Sequence, residues 1–575
     1  MSKLESRWRG RASTLAAGLW RAVAMGVERS TRFSALLGAA GYAASMSPSL
    51  LPRTWLFQGI ITGVSVAAWA GAGAVLDKTW AGFSRWSGTK ITVTRPGPRK
   101  WLRRGWAALV AAVIVLVPLG ALGGQRHLAD SMGMAAPSVG ALVLGLLLAA
   151  ATFAGILALW HGLGWLSDIL QRRMRRLPRL VTRPLAGLLV ILLVVGVVQY
   201  LIVGGVTRVV SIQSEQANET TRAGVVEPTS PLLSGGPGSL EAWDSLGYEG
   251  RSFVASARTR AQIEAVTGTP AMDPIRAYAG RSAGRSIEGA AAAVVAELDR
   301  TKAWDRQVLV LITTTGQGWV NNWGATAVEY LTGGNCALAA IQHSTLPSPL
   351  ALLDASNRPR EAGRAVLEAV SARLAQLPAG HRPKVYVSGE SLGAYGGNAA
   401  FSSLDDLLAR VDGAVWTGTP TFTDLHRQIT AARVVGSTQV NPVVDNGRHV
   451  RFASKPAELS ADQFGRPLGA WEFPRVVYVQ HPSDPVVWWS PDLLVETPPW
   501  LAETRVEGPA VAMSWLPVVT FWQVTGDMPA ATEVPSGYGH NYRDELVPVW
   551  AAVLDRGSPG QVEAIIHAIR NPTPS

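Results

Sequence analysis

The hydrophobic pattern divides the chain into two unlike parts. Five apolar runs occupy the first third, at residues 33–51, 55–76, 106–122, 139–159 and 184–206. Each approaches or exceeds the ~20 residues a helix needs to cross a bilayer. The first is the weakest, diluted by Gly, Ala and Ser, and the last is the strongest. Trp55, Trp80, Trp101, Trp106, Trp160 and Trp165 lie near the run ends, where interfacial aromatics sit. Gly59 and Gly63 form a Gly-x-x-x-Gly in the second run, a spacing that lets helices approach closely. After a polar, turn-rich stretch at 207–240 the pattern changes. Short β-rich runs at 307–313, 336–342, 384–388, 412–417 and 475–480 alternate with helical patterns at 323–331, 358–377, 394–410 and 542–554. That alternation predicts a largely parallel sheet with helices on both faces.

Composition strengthens the first half of this reading. Mean hydropathy is +0.17, with 48% hydrophobic and only 16% charged residues. The net charge of +11 comes mostly from basic residues before position 210, in short segments between apolar runs. Charge so placed orients membrane helices and does not suggest nucleic-acid binding. Segment 1–32 carries seven Lys and Arg, loop 52–54 one, loop 77–105 eight, loop 125–138 one and loop 167–183 six. The alternation fits five spans with the N-terminus in the cytoplasm, which places everything after Val206 outside. Within 1–32, Arg21 interrupts the apolar stretch at 14–27, so this segment reads as a basic surface helix at most. The expected order is a basic segment 1–32, a membrane domain 33–206, an exposed linker 207–240 and a catalytic domain 241–575.

The chemistry is carried by Gly389-Glu390-Ser391-Leu392-Gly393. A β-rich run precedes it and a small-residue helical run follows, the context a nucleophilic serine on a sharp turn requires. Gly389 and Gly393 remove bulk where strand and helix close on each other. A serine needs a base and the base an orienting acid, in the chain order Ser, Asp/Glu, His for this arrangement. His540 lies in a glycine-rich loop before the helical pattern at 542–554, and Asp484 follows the β-rich run at 475–480. Asp412 and Asp527 are weaker acids by position, while His343 and His481 come too early for the base and suit pocket or structural roles. The oxyanion would be met by Leu392 N–H and by the loop Thr313-Thr314-Thr315-Gly316-Gln317-Gly318-Trp319, with Gln317 N–H favoured and Gly316 allowing close approach. No Lys-Ser/Thr follows that loop, which argues against a phosphate cradle. The single cysteine, Cys336, excludes an intrachain disulfide and reads as a buried small hydrophobe. No metal or cofactor is expected.

Several stretches together carry a resemblance: Ser49-Leu50-Leu51-Pro52-Arg53, Thr315–Trp319, Gly389–Gly393, Ser483-Asp484-Pro485 with Trp488-Trp489-Ser490-Pro491, and Gly539-His540-Asn541-Tyr542. The chain resembles, over nearly its whole length, the bacterial, actinobacterial-type α/β-hydrolases that carry a polytopic membrane domain at their N-terminus. The resemblance implies an α/β-hydrolase fold preceded by an all-α transmembrane domain, with Ser391, Asp484 and His540 as triad and no defined substrate. A departure such as Thr417-Gly418-Thr419-Pro420 is expected to leave the triad untouched. The expected activity is a membrane-anchored serine hydrolase acting on a carboxylic ester, with the lipid bilayer as its partner. An acyltransferase on the same triad and a non-enzymatic transporter or scaffold are the alternatives. Tryptophans around the site loops, above all Trp488 and Trp489, point to a lipidic ester. One of that adjacent pair is expected to face the pocket or the membrane.

Overall fold

The computed structural model describes residues 32–88, 96–174, 178–282, 284–353, 357–503 and 513–571. The basic segment before Arg32 lies outside them. The chain forms two compact units. One comprises residues 1–190 with 491–497 and 512–527; the other comprises 191–490, 498–511 and 528–575. The stretch between Asp484 and His540 is therefore shared between the units.

In the first unit, α1 (Arg32–Ser45), α2 (Trp55–Ser87), α3 (Pro96–Ser131) and α4 (Val139–Arg173) follow the apolar runs. Among the described residues four helices are long and apolar enough to cross a membrane: Trp55–Ser87, Ala108–Ser131, Val139–Arg173 and Val181–Glu219. The first of the five expected spans is not among them. α1 has 14 residues, about 21 Å of helix against a ~30 Å hydrocarbon core. It stops where Ser47, Pro48 and Pro52 turn the chain toward α2. Leu144, Leu147 and Leu159 of α4 remain exposed, as lipid-facing positions do. Gly59 and Gly63 meet α4 directly. A Cβ at Gly59 would lie 2.7 Å from Leu148 Cβ, and one at Gly63 2.5 Å from Thr152 Cβ. The glycine spacing thus serves helix contact, as expected.

The same unit buries a polar cluster. Asp527, which ends the helix Val519–Asp527, accepts from the Ser49 hydroxyl and from Leu50 and Leu51 N–H at 3.0 and 3.3 Å. Arg53 Nε lies 3.7 Å from its other oxygen, and the Arg53 guanidinium also donates to Ser45 and Ser47 carbonyls. Burial pushes the Asp527 carboxyl up to about 6 against the pull of Arg53 and these donors. Asp527 is thus committed to holding the Ser49–Arg53 turn.

In the second unit seven strands form one parallel sheet. They are β1 (Ile275–Ala279), β2 (Val308–Thr313), β3 (Cys336–Ile341), β4 (Lys384–Glu390), β5 (Gly413–Thr417), β6 (Val450–Ala453) and β7 (Arg475–Val479), in the order β1-β3-β2-β4-β5-β7-β6. Each strand is almost wholly buried, because helices cover both faces, and two apolar clusters fill the space on either side. β1 and β6 escape the hydrophobic pattern: Arg276 and Arg451 interrupt them. Arg276 is buried in an ion pair with Glu329 at 2.7 Å. The serine therefore follows the fourth strand, not the third. The helix expected over 394–410 is two, Leu392–Asn398 and Leu404–Arg410, and Pro559–Arg570 follows the one expected last.

The stretch 207–240 is largely exposed, but it is helical at its start and buried at 233–236. The apolar helix beginning at Val181 runs to Glu219. Its end lies within the second unit, where the Asn218 side chain accepts from Tyr248 N–H at 3.2 Å and from Gln342 Nε2 at 2.8 Å. Ser234, fully buried, then bonds Arg276 O, Tyr278 N–H and Glu297 along the edge of β1.

Candidate active site

Ser391 stands between β4 and the helix Leu392–Asn398 with φ 56° and ψ −119°. A non-glycine residue there is strained and survives only where its surroundings hold it. Its N–H donates to Thr417 O at 2.9 Å, and its carbonyl accepts from Tyr395 N–H at 2.9 Å. A Cβ at Gly389 would lie 2.5 Å from the Gly393 carbonyl carbon, and one at Gly393 would run into Thr313 O. Both glycines are thus required by close approach of strand, turn and helix.

Asp484 and His540 meet across 56 residues of chain. Asp484 Oδ2 lies 2.6 Å from His540 Nδ1. The carboxylate is fully buried and held by three further donors: Tyr542 OH at 2.7 Å, Val486 N–H at 2.8 Å and Val487 N–H at 3.4 Å. Two ties fix the His540 loop: His540 N–H donates to Ala531 O at 2.7 Å and Gly539 N–H to Ser483 Oγ at 2.9 Å. His540 Nε2 is buried and has no hydrogen-bond partner among the described residues. Burial would lower the His540 pKa, but Asp484, and after it Glu390, carry it above the ordinary value.

Thr417-Gly418 is not remote from these residues. Thr417 O takes the Ser391 N–H, and a Cβ at Gly418, whose φ is 56°, would strike His540 Cε1. The expectation that this departure leaves the triad untouched is therefore corrected: Gly418 is the floor on which the imidazole rests.

The loop after β2 starts beside the elbow, because Thr313 pairs with Gly389. Gly316 N–H is engaged by Ser348 Oγ at 3.2 Å, so it is not free to meet an oxyanion. A Cβ at Gly316 would collide with Leu346 O, which explains the glycine. Gly318 sits at φ 91°, and Gln317 O accepts from Gln342 Nε2 at 2.9 Å.

Two side chains that sequence reasoning missed complete the arrangement. Tyr542 OH supports Asp484. Asn321 caps the helix Asn322–Leu331 through Oδ1, while Nδ2 donates to Glu390 Oε2 at 2.6 Å and to Tyr542 O at 3.0 Å. The signal for Asn321 was its place as an N-cap after a glycine loop. Burial pushes the Glu390 carboxyl up to about 7, against His540 and Asn321 and with Asp484 and Glu545.

The other candidates have structural duties. His481 lies 3.0 Å from Glu545 and 2.9 Å from Gly539 O. His343 Nε2 meets Thr314 O at 3.1 Å, and Asp412 accepts from Val385 N–H at 2.8 Å. Trp488 is buried against Trp500 and donates to His481 O at 2.9 Å. Trp489 is half-exposed and continues an edge-to-face series through Phe422 to Tyr395, one helical turn from Ser391.

A buried Asp–His pair, an imidazole nitrogen left free and a serine on a strained strand-to-helix turn match an α/β-hydrolase architecture. The model of an alpha/beta-hydrolase family matches residues 275–564, and that of the family's N-terminus matches residues 46–257. The chain belongs to this α/β-hydrolase family. No curated protein and no solved structure matches it. The first of these matches takes in all seven strands and the three residues Ser391, Asp484 and His540 of this hydrolase-family chain. The second takes in the apolar helices from α2 onward and the Ser49–Arg53 turn.

Proposed function

We propose that this chain is a membrane-anchored serine hydrolase that cleaves carboxylic esters through an acyl-enzyme on Ser391. Ser391 Oγ attacks the ester carbonyl and His540 Nε2 takes its proton. Asp484 holds Nδ1–H and balances the imidazolium that forms. Leu392 N–H and Gln317 N–H receive the developing oxyanion. The alcohol leaves with the proton from His540, and water then releases the acid by the same route. The observation that carries this reading is the 2.6 Å Asp484–His540 contact with Nε2 buried and unpartnered behind it. A lipidic ester is supported by the half-exposed Tyr395–Phe422–Trp489 series beside the elbow and by the four long apolar helices.

The site faces the outside of the cell in this reading. The basic loops at 77–105 and 167–183 are cytoplasmic in this reading. With α1 too short to count, the four spans put both the segment before α2 and the chain after the last span outside, so the cytoplasmic N-terminus that five spans implied is given up. Labelling by a fluorophosphonate probe tests the chemistry, and the S391A variant should not label. A panel of p-nitrophenyl esters and dispersed envelope lipids tests the substrate. Turnover best on small soluble esters and absent on lipid dispersions would remove the lipidic assignment. Reporter fusions after residues 100 and 240 should report opposite sides.

A further inference from the structure

Glu390 precedes the nucleophile and has no part in the mechanism above. Its backbone ends β4, paired with Thr417 of β5. Its side chain lines a cavity of about 20 Å³ shared with Val310, Ile312, Val415, Leu546 and Trp550. One oxygen is fixed by Asn321 Nδ2 at 2.6 Å, and the same amide group is tied to Tyr542 O at 3.0 Å. That bridge joins the elbow, the helix after the β2 loop and the His540 loop, and it holds the Glu390 carboxylate where it acts electrostatically on His540. The catalytic imidazole is thus served by Asp484 on the Nδ1 side and by a second carboxylate that does not hydrogen-bond to it.

We propose that Glu390 is a positioning residue acting through His540: its ionised carboxylate stabilises the imidazolium formed when Ser391 is deprotonated, and its neutral form withdraws that support. This rests on the serine-hydrolase reading. In the step concerned, the Oγ–C bond forms, the carbonyl π pair moves onto oxygen, and the Ser391 proton passes to His540 Nε2. The positive charge so created is met by Asp484 and Glu390 together. The groups that face Glu390 are His540 and Tyr542 from the histidine loop, Asp484 from the loop after β7, Glu545 from the start of the helix Leu546–Leu554, and the neutral Asn321. His540 favours the ionised form of Glu390, as does Asn321, whereas burial, Asp484 and Glu545 oppose it, which leaves the carboxyl near neutrality at about 7. Glu390 therefore titrates across the pH range in which an imidazole base is switched on, and the two groups titrate as a coupled pair.

The test is the pH profile of kcat/KM for the full-length chain on an ester substrate, for wild type and for E390Q, E390D and N321A. Fluorophosphonate labelling of Ser391 in each variant reports that the elbow is folded. In E390Q the imidazolium loses a favourable charge, so the acid limb should move down by about half a pH unit or more while the plateau falls roughly tenfold or more. E390D should restore part of both. N321A keeps the carboxylate but removes the donor that favours ionisation, so its acid limb should move up, the opposite direction. A residue that only held the Asn321 cap would lower the rate without moving the limb. A folded E390Q whose acid limb coincides with wild type overturns the proposal while leaving the hydrolase assignment intact. Should E390Q fail to fold, an unmoved limb in N321A does the same. A wild type that neither labels nor turns over any ester overturns both.

Discussion

Two buried histidines lie on the same tyrosine and do different things. His481 stacks on Tyr542 with ring centres 4.2 Å apart and planes 13° from parallel. His540 meets the same ring edge-on at 5.5 Å and 88°. Each has a carboxylate, Glu545 at 3.0 Å for His481 and Asp484 at 2.6 Å for His540. The difference lies in the remaining nitrogen. His481 is fully buried, sets Nδ1 against Gly539 O, and has Glu545 3.0 Å from Nε2 as an ion-pair contact without a hydrogen bond. His540 spends only Nδ1 and keeps Nε2 open. A histidine–carboxylate pair is therefore not a catalytic signature by itself. In the proposed mechanism the base is the histidine whose Nε2 has no partner among the described residues, and the second pair serves to hold the loop that carries the first.

The largest effects should fall on one side of this comparison. S391A and H540A are each expected to lower kcat by ~10⁴- to 10⁶-fold, because nucleophile and base act as a unit. H481Q should keep turnover within about tenfold of wild type, since it removes a support and not a reacting atom. If H481Q matched H540A, the two histidines would have been wrongly told apart. D484N should cost about 10⁴-fold in kcat: an amide at the Oδ2 position cannot fix the Nδ1–H tautomer or balance an imidazolium. E545Q, its counterpart, is expected to affect stability more than rate, by about 1–3 kcal/mol in chemical denaturation.

An effect on stability alone concerns two histidines that have no carboxylate. Burial lowers His343 and His426 to about 4. Their folded values lie below the unfolded value near 6.5, so below that pH the unfolded chain binds protons the folded chain refuses. Each should therefore cost about 2 kcal/mol of stability at pH 5 relative to pH 7, the loss developing between about 6.5 and 4. H426Q should remove its share of that pH dependence in denaturation midpoints measured at the two pH values.

Most of the sheet was legible because a parallel strand covered on both faces reads as an unbroken apolar run. β2, β3, β4, β5 and β7 follow that rule. β1 and β6 do not, since Arg276 and Arg451 sit inside them: Arg276 finds its buried partner Glu329 far along the chain, while Arg451 is satisfied by the nearby carbonyls of Gly447 and Leu459. Local pattern carries no trace of Glu329 across 53 residues. The first apolar run misled for a related reason. Its 19 positions include the turn around Pro48, and that turn is held by Asp527, hundreds of residues later.

The sequence by itself determined the elbow, because Gly-x-Ser-x-Gly between a β-rich run and a helix-forming run is a local steric requirement. It determined the order of Ser391, Asp484 and His540 and the four long apolar helices, since all of these are written in short-range spacing and composition. Tertiary structure alone decided which histidine meets Asp484 and which meets Glu545, and that Gly418 is the surface under the imidazole. It also decided that Asn321 ties Glu390 to the histidine loop and that residues 233–236 are buried along the edge of β1. These depend on distances between residues tens to hundreds of positions apart, and a one-dimensional pattern records side-chain chemistry but not which side chains will meet.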